Sequence, residues 1–373
     1  MTKPVGVYVH VPFCRKKCAY CDFYSAVLNG DTVGKYISAL KEEIYRWGAK
    51  LCRPADTVYF GGGTPSVLSS EQLCDLLFFV KDAFFVTENA EITVEVNPET
   101  VDEEYLYKLK KAGFNRLSMG VQSFDDTSLK MLGRHHSAKQ AQEVFKSARK
   151  VGFDNISIDI MLGLPAGNGG EETARKALEL GAEHISCYML ILEEKTALFA
   201  QKDTLSLPDE ERVSQEYKNV SLILKNGGYN QYEISNFSKD NKESRHNLKY
   251  WHTEEYIGIG PSAHSFINGE RFYYERDLRN FINSPKTVSE GVGGDMYEYI
   301  MLALRLSEGI CEDSLKKLYG KKFGGKFLDK ADKFKNGGLA TFKDGNFALT
   351  TDGMLLSNAI ICEMTEEELY EDL

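Results

Sequence analysis

Three cysteines stand close together in Cys14-Arg-Lys-Lys-Cys18-Ala-Tyr-Cys21, in a segment that directly follows the strand-like run Val5–His10. In a reducing compartment such a cluster points to metal, because thiolates are soft ligands for zinc and for iron–sulfur centres. Three thiolates from one short loop can hold three irons of a [4Fe–4S] cube, whereas an ordinary electron-transfer cluster takes four cysteines. The fourth iron is then open to a further ligand. Zinc would need a fourth protein donor, and the nearby candidate is His10, which a strand would have to present at the right angle. The spacing favours the cluster, with a zinc-stabilised interaction protein as the weaker alternative.

Further polar groups fall where strands should end. Gly61-Gly62-Gly63-Thr64-Pro65 follows the second strand-like run, and glycines there let the backbone approach a ligand closely. Without a Gly-Lys-Ser/Thr it is no phosphate loop. Glu95 and Asn97 flank the end of a third run, Gln122 follows a fourth and Asp159 is expected at the end of a fifth. Polar side chains that converge on one rim need a polar guest to satisfy them. Arg134, in Leu132-Gly-Arg-His-His136, reads on its own as a surface arginine.

The elements that must position these groups alternate. Val5–His10, Thr57–Phe60, Ile92–Val96, Arg116–Met119, Ile156–Ile160 and Ile185–Leu190 read as strands. Helix-length segments Gly34–Trp47, Glu71–Ala83, Glu103–Ala112, Ala138–Val151 and Glu171–Leu180 separate them. This βαβα rhythm implies a parallel sheet with helical crossovers. Gly113, Gly152 and Gly181 each follow a helical segment, as C-caps do. A helix over Glu210–Asn226, a strand-like Tyr229–Ile234 and a polar loop up to Arg245 follow, and 1–285 reads as one unit. Residues 286–294 read as a linker. Beyond it, 295–373 shows helical Met296–Leu306 and Ser314–Leu318, a hairpin over Ala340–Thr350 and a helical Gly353–Cys362, a winged-helix-like set.

Composition excludes several classes. The formal charge is −10, and residues 295–373 carry ten Lys and Arg against fifteen Asp and Glu, so nucleic acid is not the expected partner. The chain shows no secretory apolar segment and no bilayer-length apolar run, so a cytoplasmic, soluble protein is expected. Cys52, Cys74, Cys187, Cys311 and Cys362 are scattered, which fits core filler rather than a disulfide framework.

Cys-x-x-x-Cys-x-x-Cys after a first strand resembles the radical S-adenosylmethionine (SAM) superfamily. Tyr8-Val-His-Val-Pro-Phe-Cys14 and Tyr59-Phe-Gly-Gly-Gly-Thr-Pro-Ser66 are similar, more narrowly, to the oxygen-independent coproporphyrinogen III oxidase group, which includes the HemW-type haem chaperones. The resemblance spans nearly the whole chain. It implies a partial (β/α)6 TIM-like barrel with a small C-terminal winged-helix-like domain, a [4Fe–4S] cluster on Cys14, Cys18 and Cys21, and SAM chelating the open iron. It further implies SAM contacts from Tyr8, Tyr20, Gly62, Gly63, Thr64, Glu95, Gln122, Arg134 and Asp159. The oxidases resemble Cys-x-x-x-Cys-x-x-Cys-x-Cys, whereas position 23 here is Phe. His246-Asn247-x-x-Tyr250-Trp251 is similar to the haem-binding signature of the chaperones, and an imidazole with two flat aromatics suits a porphyrin. The implied function is a haem chaperone that passes haem to acceptor proteins, with the oxidase as the alternative. A flavodoxin- or ferredoxin-type electron donor is implied, and membrane contact only peripherally, through acceptors. Gly258-Ile-Gly-Pro-Ser-Ala263, with His264, reads as a turn near the site mouth.

Overall fold

Val5, Val7, Val9 and Val11 alternate with Gly6, Tyr8 and His10 along the first strand, β1 (Val5–Val11), and the valines are fully buried in the main core. The other face, carrying Tyr8 and His10, turns to an interior cavity. A computed structural model describes residues 3–165 and 169–366, and only the backbone of 321–323. After β1 come two short strands, β2 (Phe13–Cys14) and β3 (Ala26–Val27). The large strands follow: β4 (Ala55–Gly62), β5 (Glu91–Val96), β6 (Arg116–Gln122), β7 (Ile156–Leu162) and β8 (His184–Met189). Each is joined to the next through helices: α1 (Gly30–Leu51), α2 (Ser70–Phe84), α3 (Glu103–Ala112), α4 (Asp126–Met131), α5 (Ala138–Lys150) and α6 (Gly169–Leu180). Side chains set the helix starts. Ser69 and Gln72 form a capping box ahead of α2, and Asp102 caps α3. At the other ends Gly113, Gly152 and Gly181 all have positive φ, as the sequence implies.

β1, β4, β5, β6, β7 and β8 lie side by side in chain order, all parallel. This is the winding of a (β/α) barrel, and a doubly wound sheet would reverse direction partway. The barrel does not close. After α7 (Glu210–Asn226), β9 (Asn230–Gln231) and β10 (Asn236–Ser238) extend one edge beyond β8. On the other edge, β11 (Tyr256–Ile259) runs parallel to β1, and β12 (His264–Ile267), β13 (Glu270–Tyr274) and β14 (Thr287–Val292) continue antiparallel. The sheet so formed has 12 strands. Among the described residues no helix is long and apolar enough to cross a membrane.

Two expectations need correction, the linker and the scattered cysteines, while the polar loop up to Arg245 is present. Residues 286–294 contain β14, which pairs with β13 across five register positions, so the stretch is an edge strand on the way to the second unit. Its three glycines and six exposed residues hid the β-branched Thr287, Val288 and Val292, whose ladder is supplied by β13. The polar segment before Arg245 leads directly into a short helix, α8 (Arg245–Trp251), capped by Ser244, and α9 (Leu278–Asn283) follows β13. Of the scattered cysteines only Cys187 is buried, while Cys52 and Cys362 are exposed.

The C-terminal unit has its own core, built on Ile300, Leu304, Ile310, Leu315, Phe327 and Phe347. It contains α10 (Met296–Ala303), α11 (Glu312–Tyr319), α12 (Lys321–Asn336), α13 (Thr351–Leu355) and α14 (Ser357–Met364). These surround a three-stranded sheet of β15 (Ile310–Cys311), β16 (Ala340–Lys343) and β17 (Asn346–Leu349), in the order β15-β17-β16. The helices, hairpin and helix expected there are present, whereas α12, rich in Lys and Gly, was not legible.

Candidate functional site

The inward positions of the parallel strands are polar at every second residue: Tyr8 and His10 on β1, Tyr59 on β4, Glu95 on β5, Arg116, Ser118 and Gln122 on β6, Asp159 on β7, and Ser186 and Tyr188 on β8. They line one cavity of about 800 Å³, which also takes in Cys14, Cys18, Tyr20 and Cys21. A barrel interior filled by apolar layers would leave no such room.

The cysteine loop is clasped at its base. Phe13 pairs with Ala26 and Cys14 with Val27, so residues 15–25 form an excursion held by β2 and β3. Gly63 and Thr64 donate backbone N–H groups to Val11 and Phe13 at 2.9 and 2.8 Å, docking the glycine turn against the loop. Gly62 has φ 115°, and a Cβ there would lie 2.6 Å from the His10 ring. Cys14 Sγ lies 3.5 Å from Thr64 Oγ1, and Arg134 Nη1 points at Cys18 Sγ from 3.6 Å. Burial pushes the Cys21 thiol up. The three thiols share a cavity wall, although among the described residues no three His, Cys, Asp or Glu side chains are drawn together as an ion cage.

Glu95 receives the Tyr59 hydroxyl at 2.9 Å and the Gly62 N–H at 3.3 Å. Burial nonetheless pushes its carboxyl up to about 7, and Asp159 adds to the effect. Asp159 is also raised by burial, against hydrogen bonds from serines of β6 and β7. It lies in the middle of β7 rather than at its end, so it reaches the cavity wall from below the rim. Gln122 ends β6 with φ 69° and lines the cavity. Arg134 is buried, not a surface residue, and donates to Asn97 Oδ1 at 2.8 Å and to the Gly120 carbonyl. All nine expected SAM residues, Tyr8, Tyr20, Gly62, Gly63, Thr64, Glu95, Gln122, Arg134 and Asp159, line this cavity.

Arg116 escaped sequence reasoning. It is 2% exposed, lines the cavity, and its Nε and Nη1 have no hydrogen-bond partner among the described residues. The signal that could have found it is the alternation in β6, where Arg116, Ser118 and Gln122, with Gly120 between them, share one face against Leu117, Met119 and Val121 on the other.

The His246–Trp251 segment divides. α8 lies across the N-terminal ends of the strands, with Glu91 at the start of β5 receiving the backbone N–H groups of Arg245 and His246. The His246 ring is 1% exposed and both nitrogens are engaged, Nδ1 with Thr57 Oγ1 and Nε2 with the Tyr250 hydroxyl, each at 2.8 Å. Burial lowers its pKa to about 3. Asn247 and Tyr250 line the cavity, whereas Trp251 lies beneath the Arg305 guanidinium, 4.9 Å from its ring.

A parallel six-stranded partial barrel with a three-cysteine loop after its first strand defines a radical SAM protein, and the Radical SAM superfamily description matches residues 8–178. The HemN C-terminal domain description matches residues 295–356. The chain is 36% identical to the haem chaperone HemW of Bacillus subtilis, covering 95% of this chain and 97% of that protein. It is 35% identical to HemW of Escherichia coli K12, over 84% and 88%. The chain therefore belongs to the HemW family. Its fold is that of coproporphyrinogen III oxidase (HemN) from Escherichia coli, with TM-score 0.83 at 22% identity over 99% of this chain and 91% of that one.

Radical SAM membership carries a [4Fe–4S] cluster and SAM, and the residues present fit both. Cys14, Cys18 and Cys21 supply three soft donors from one loop, with the Arg134 guanidinium beside Cys18 to offset thiolate charge. Arg116 and Arg134, each with a buried side-chain nitrogen that has no partner among the described residues, line the same space, which suits a polar, charged guest.

Proposed function

We propose that the chain is a haem chaperone: it holds a [4Fe–4S] cluster on Cys14, Cys18 and Cys21, takes SAM into the cavity beside them, binds haem and delivers it to acceptor proteins. The observation that carries this reading is the single cavity in which the three thiols meet the enclosed carboxylates of Glu95 and Asp159. Its support beyond geometry is the HemW relatives, matched over most of their length.

Within that reading the side chains divide the work. SAM, when bound, offers the open iron an amino group and a carboxylate. Glu95 and Asp159 accept hydrogen bonds from ligand hydroxyls, Arg134 faces ligand carboxylate and cluster sulfur, and Gly62 and Gly63 keep the exit of β4 close to the loop. Tyr8 and Tyr20 give the guest aromatic walls. On the floor, Asn247 and Tyr250 are the members of the haem-signature segment that face the cavity, and His246 fixes α8 against β4. Trp251 braces α8 from outside through Arg305. The cytoplasm is the expected compartment, and a flavodoxin- or ferredoxin-type protein the expected reductant.

The test is a paired assay on anaerobically reconstituted protein. Stoichiometric haem binding and transfer to a haem-free acceptor, with no vinyl formation from coproporphyrinogen III, is the expected result. Robust coproporphyrinogen turnover by pure protein would replace the chaperone reading with the oxidase one.

A further inference from the structure

We infer that His264 is the protein ligand to haem iron, at the cavity mouth, on an apolar seat provided by Phe23 and Ile191. The inference rests on the haem reading above and moves the iron ligand away from His246.

An axial imidazole needs one nitrogen with a free lone pair and a path to the macrocycle. Three histidines compete. His10 donates from Nε2 to the Tyr24 carbonyl at 3.1 Å, so its Nδ1 is left to accept from the Tyr8 hydroxyl, also at 3.1 Å. His246 has both nitrogens engaged and is enclosed on the floor. His264 differs on each count. It begins β12 at the C-terminal end of the barrel, lines the cavity and has a 54% exposed side chain. Its Nδ1 lies 3.1 Å from Glu290 Oε2, and a carboxylate only accepts, so Nδ1 carries the proton. Nε2 has no partner among the described residues. A carboxylate that fixes the tautomer and aims the other nitrogen outward is the arrangement found behind metal-ligating histidines. The ring also stacks on Tyr273, centroids 5.1 Å apart. Glu290 comes from β14, which gives that edge strand a purpose beyond connection.

The surroundings suit a flat, amphiphilic dianion. Phe23 is 72% and Ile191 68% exposed, and both line the mouth. The backbone on either side of Phe23 is held: Arg276 donates to the Asp22 carbonyl at 2.9 Å, and His10 Nε2 donates to the Tyr24 carbonyl at 3.1 Å. A solvent-exposed phenylalanine held in this way is stabilised when an apolar partner covers it. Lys16 and Lys17 line the same cavity and form no ion pair among the described residues, so they are free to meet propionates. Asp22 and Glu193 line the cavity as well, in addition to the enclosed Glu95 and Asp159, so the propionates are expected on the lysine side. Binding forms one coordinate bond from Nε2 to iron, with no proton or electron transferred.

The test uses electron paramagnetic resonance of ferric haem bound to the cluster-loaded protein, because an oxidised [4Fe–4S] cluster is silent there. In His264→Ala the spectrum should lose the nitrogen-ligated signature, the haem dissociation constant should rise on the order of tenfold, and added imidazole should restore the signature. Glu290→Gln should alter the spectrum without removing it, and retained cluster absorbance reports folding. In His246→Ala that retains its cluster absorbance, the nitrogen-ligated signature of bound haem should persist even where haem affinity falls. An unchanged spectrum in His264→Ala, or loss in His246→Ala alone, overturns the inference while the haem reading stands. A wild-type protein that binds no haem overturns both.

Discussion

Glu95 is the residue whose environment makes the sharpest thermodynamic demand. Its carboxyl is held at about 7 instead of 4.5, with burial the main cause and the Asp159 charge adding to it. A folded-state pKa raised in this way contributes stability that is fully present below about 4.5 and is lost as pH rises through about 7. A tenfold change in proton affinity corresponds to about 1.4 kcal/mol, so the full difference is about 3 kcal/mol, shared with Asp159 because the two carboxylates titrate as a pair. Glu95→Gln keeps the shape and removes the ionisation. Urea denaturation under anaerobic, reducing conditions should show wild type losing up to about 3 kcal/mol relative to Glu95→Gln between pH 5 and pH 8.5. Parallel stability curves for the two proteins across that range would refute the reasoning. The same titration sets ligand binding. Hydroxyl donors on SAM favour the carboxylate, so SAM affinity should rise across that window in wild type and stay flat in Glu95→Gln.

Gly62→Ala places a Cβ against the enclosed His10 ring at φ 115°, and the thermal midpoint should fall by an amount equivalent to about 1–3 kcal/mol. Cys14→Ala, Cys18→Ala and Cys21→Ala should each abolish the brown iron–sulfur absorbance after reconstitution, and retained absorbance in any of them would remove that residue from the ligand set. His246→Ala orphans the Thr57 and Tyr250 hydroxyls and opens a void under the barrel, so calorimetry should show a loss of about 2–4 kcal/mol.

The barrel was legible because its strands and helices obey separate periods, and the helix over Glu103–Ala112 matches its expected bounds. The cysteine loop was legible from spacing alone. What stayed hidden depends on distant pairing. β14 is fully exposed and runs into Gly293 and Gly294, and only its pairing with β13 makes it a strand. α8 is a seven-residue helix whose N–H groups are taken up by Glu91, a residue 155 positions earlier than His246. The charged interior position at Arg116 lies at the start of its strand, away from the rim where barrel ligands usually gather, and inward residues recur at every second position down to the floor. The His-Asn-x-x-Tyr-Trp run pointed to a ligand site, but its histidine spends both nitrogens on the protein.

The proposed [4Fe–4S] cluster on Cys14, Cys18 and Cys21, with one iron left for SAM, is the claim on which the rest depends. Mössbauer spectroscopy of iron-57-reconstituted protein, recorded with and without SAM, tests it most directly. Iron and acid-labile sulfide should be present in equal amounts, and the isomer shift of one iron site should move on adding SAM. Zinc in place of iron, or a cluster spectrum indifferent to SAM, would contradict it.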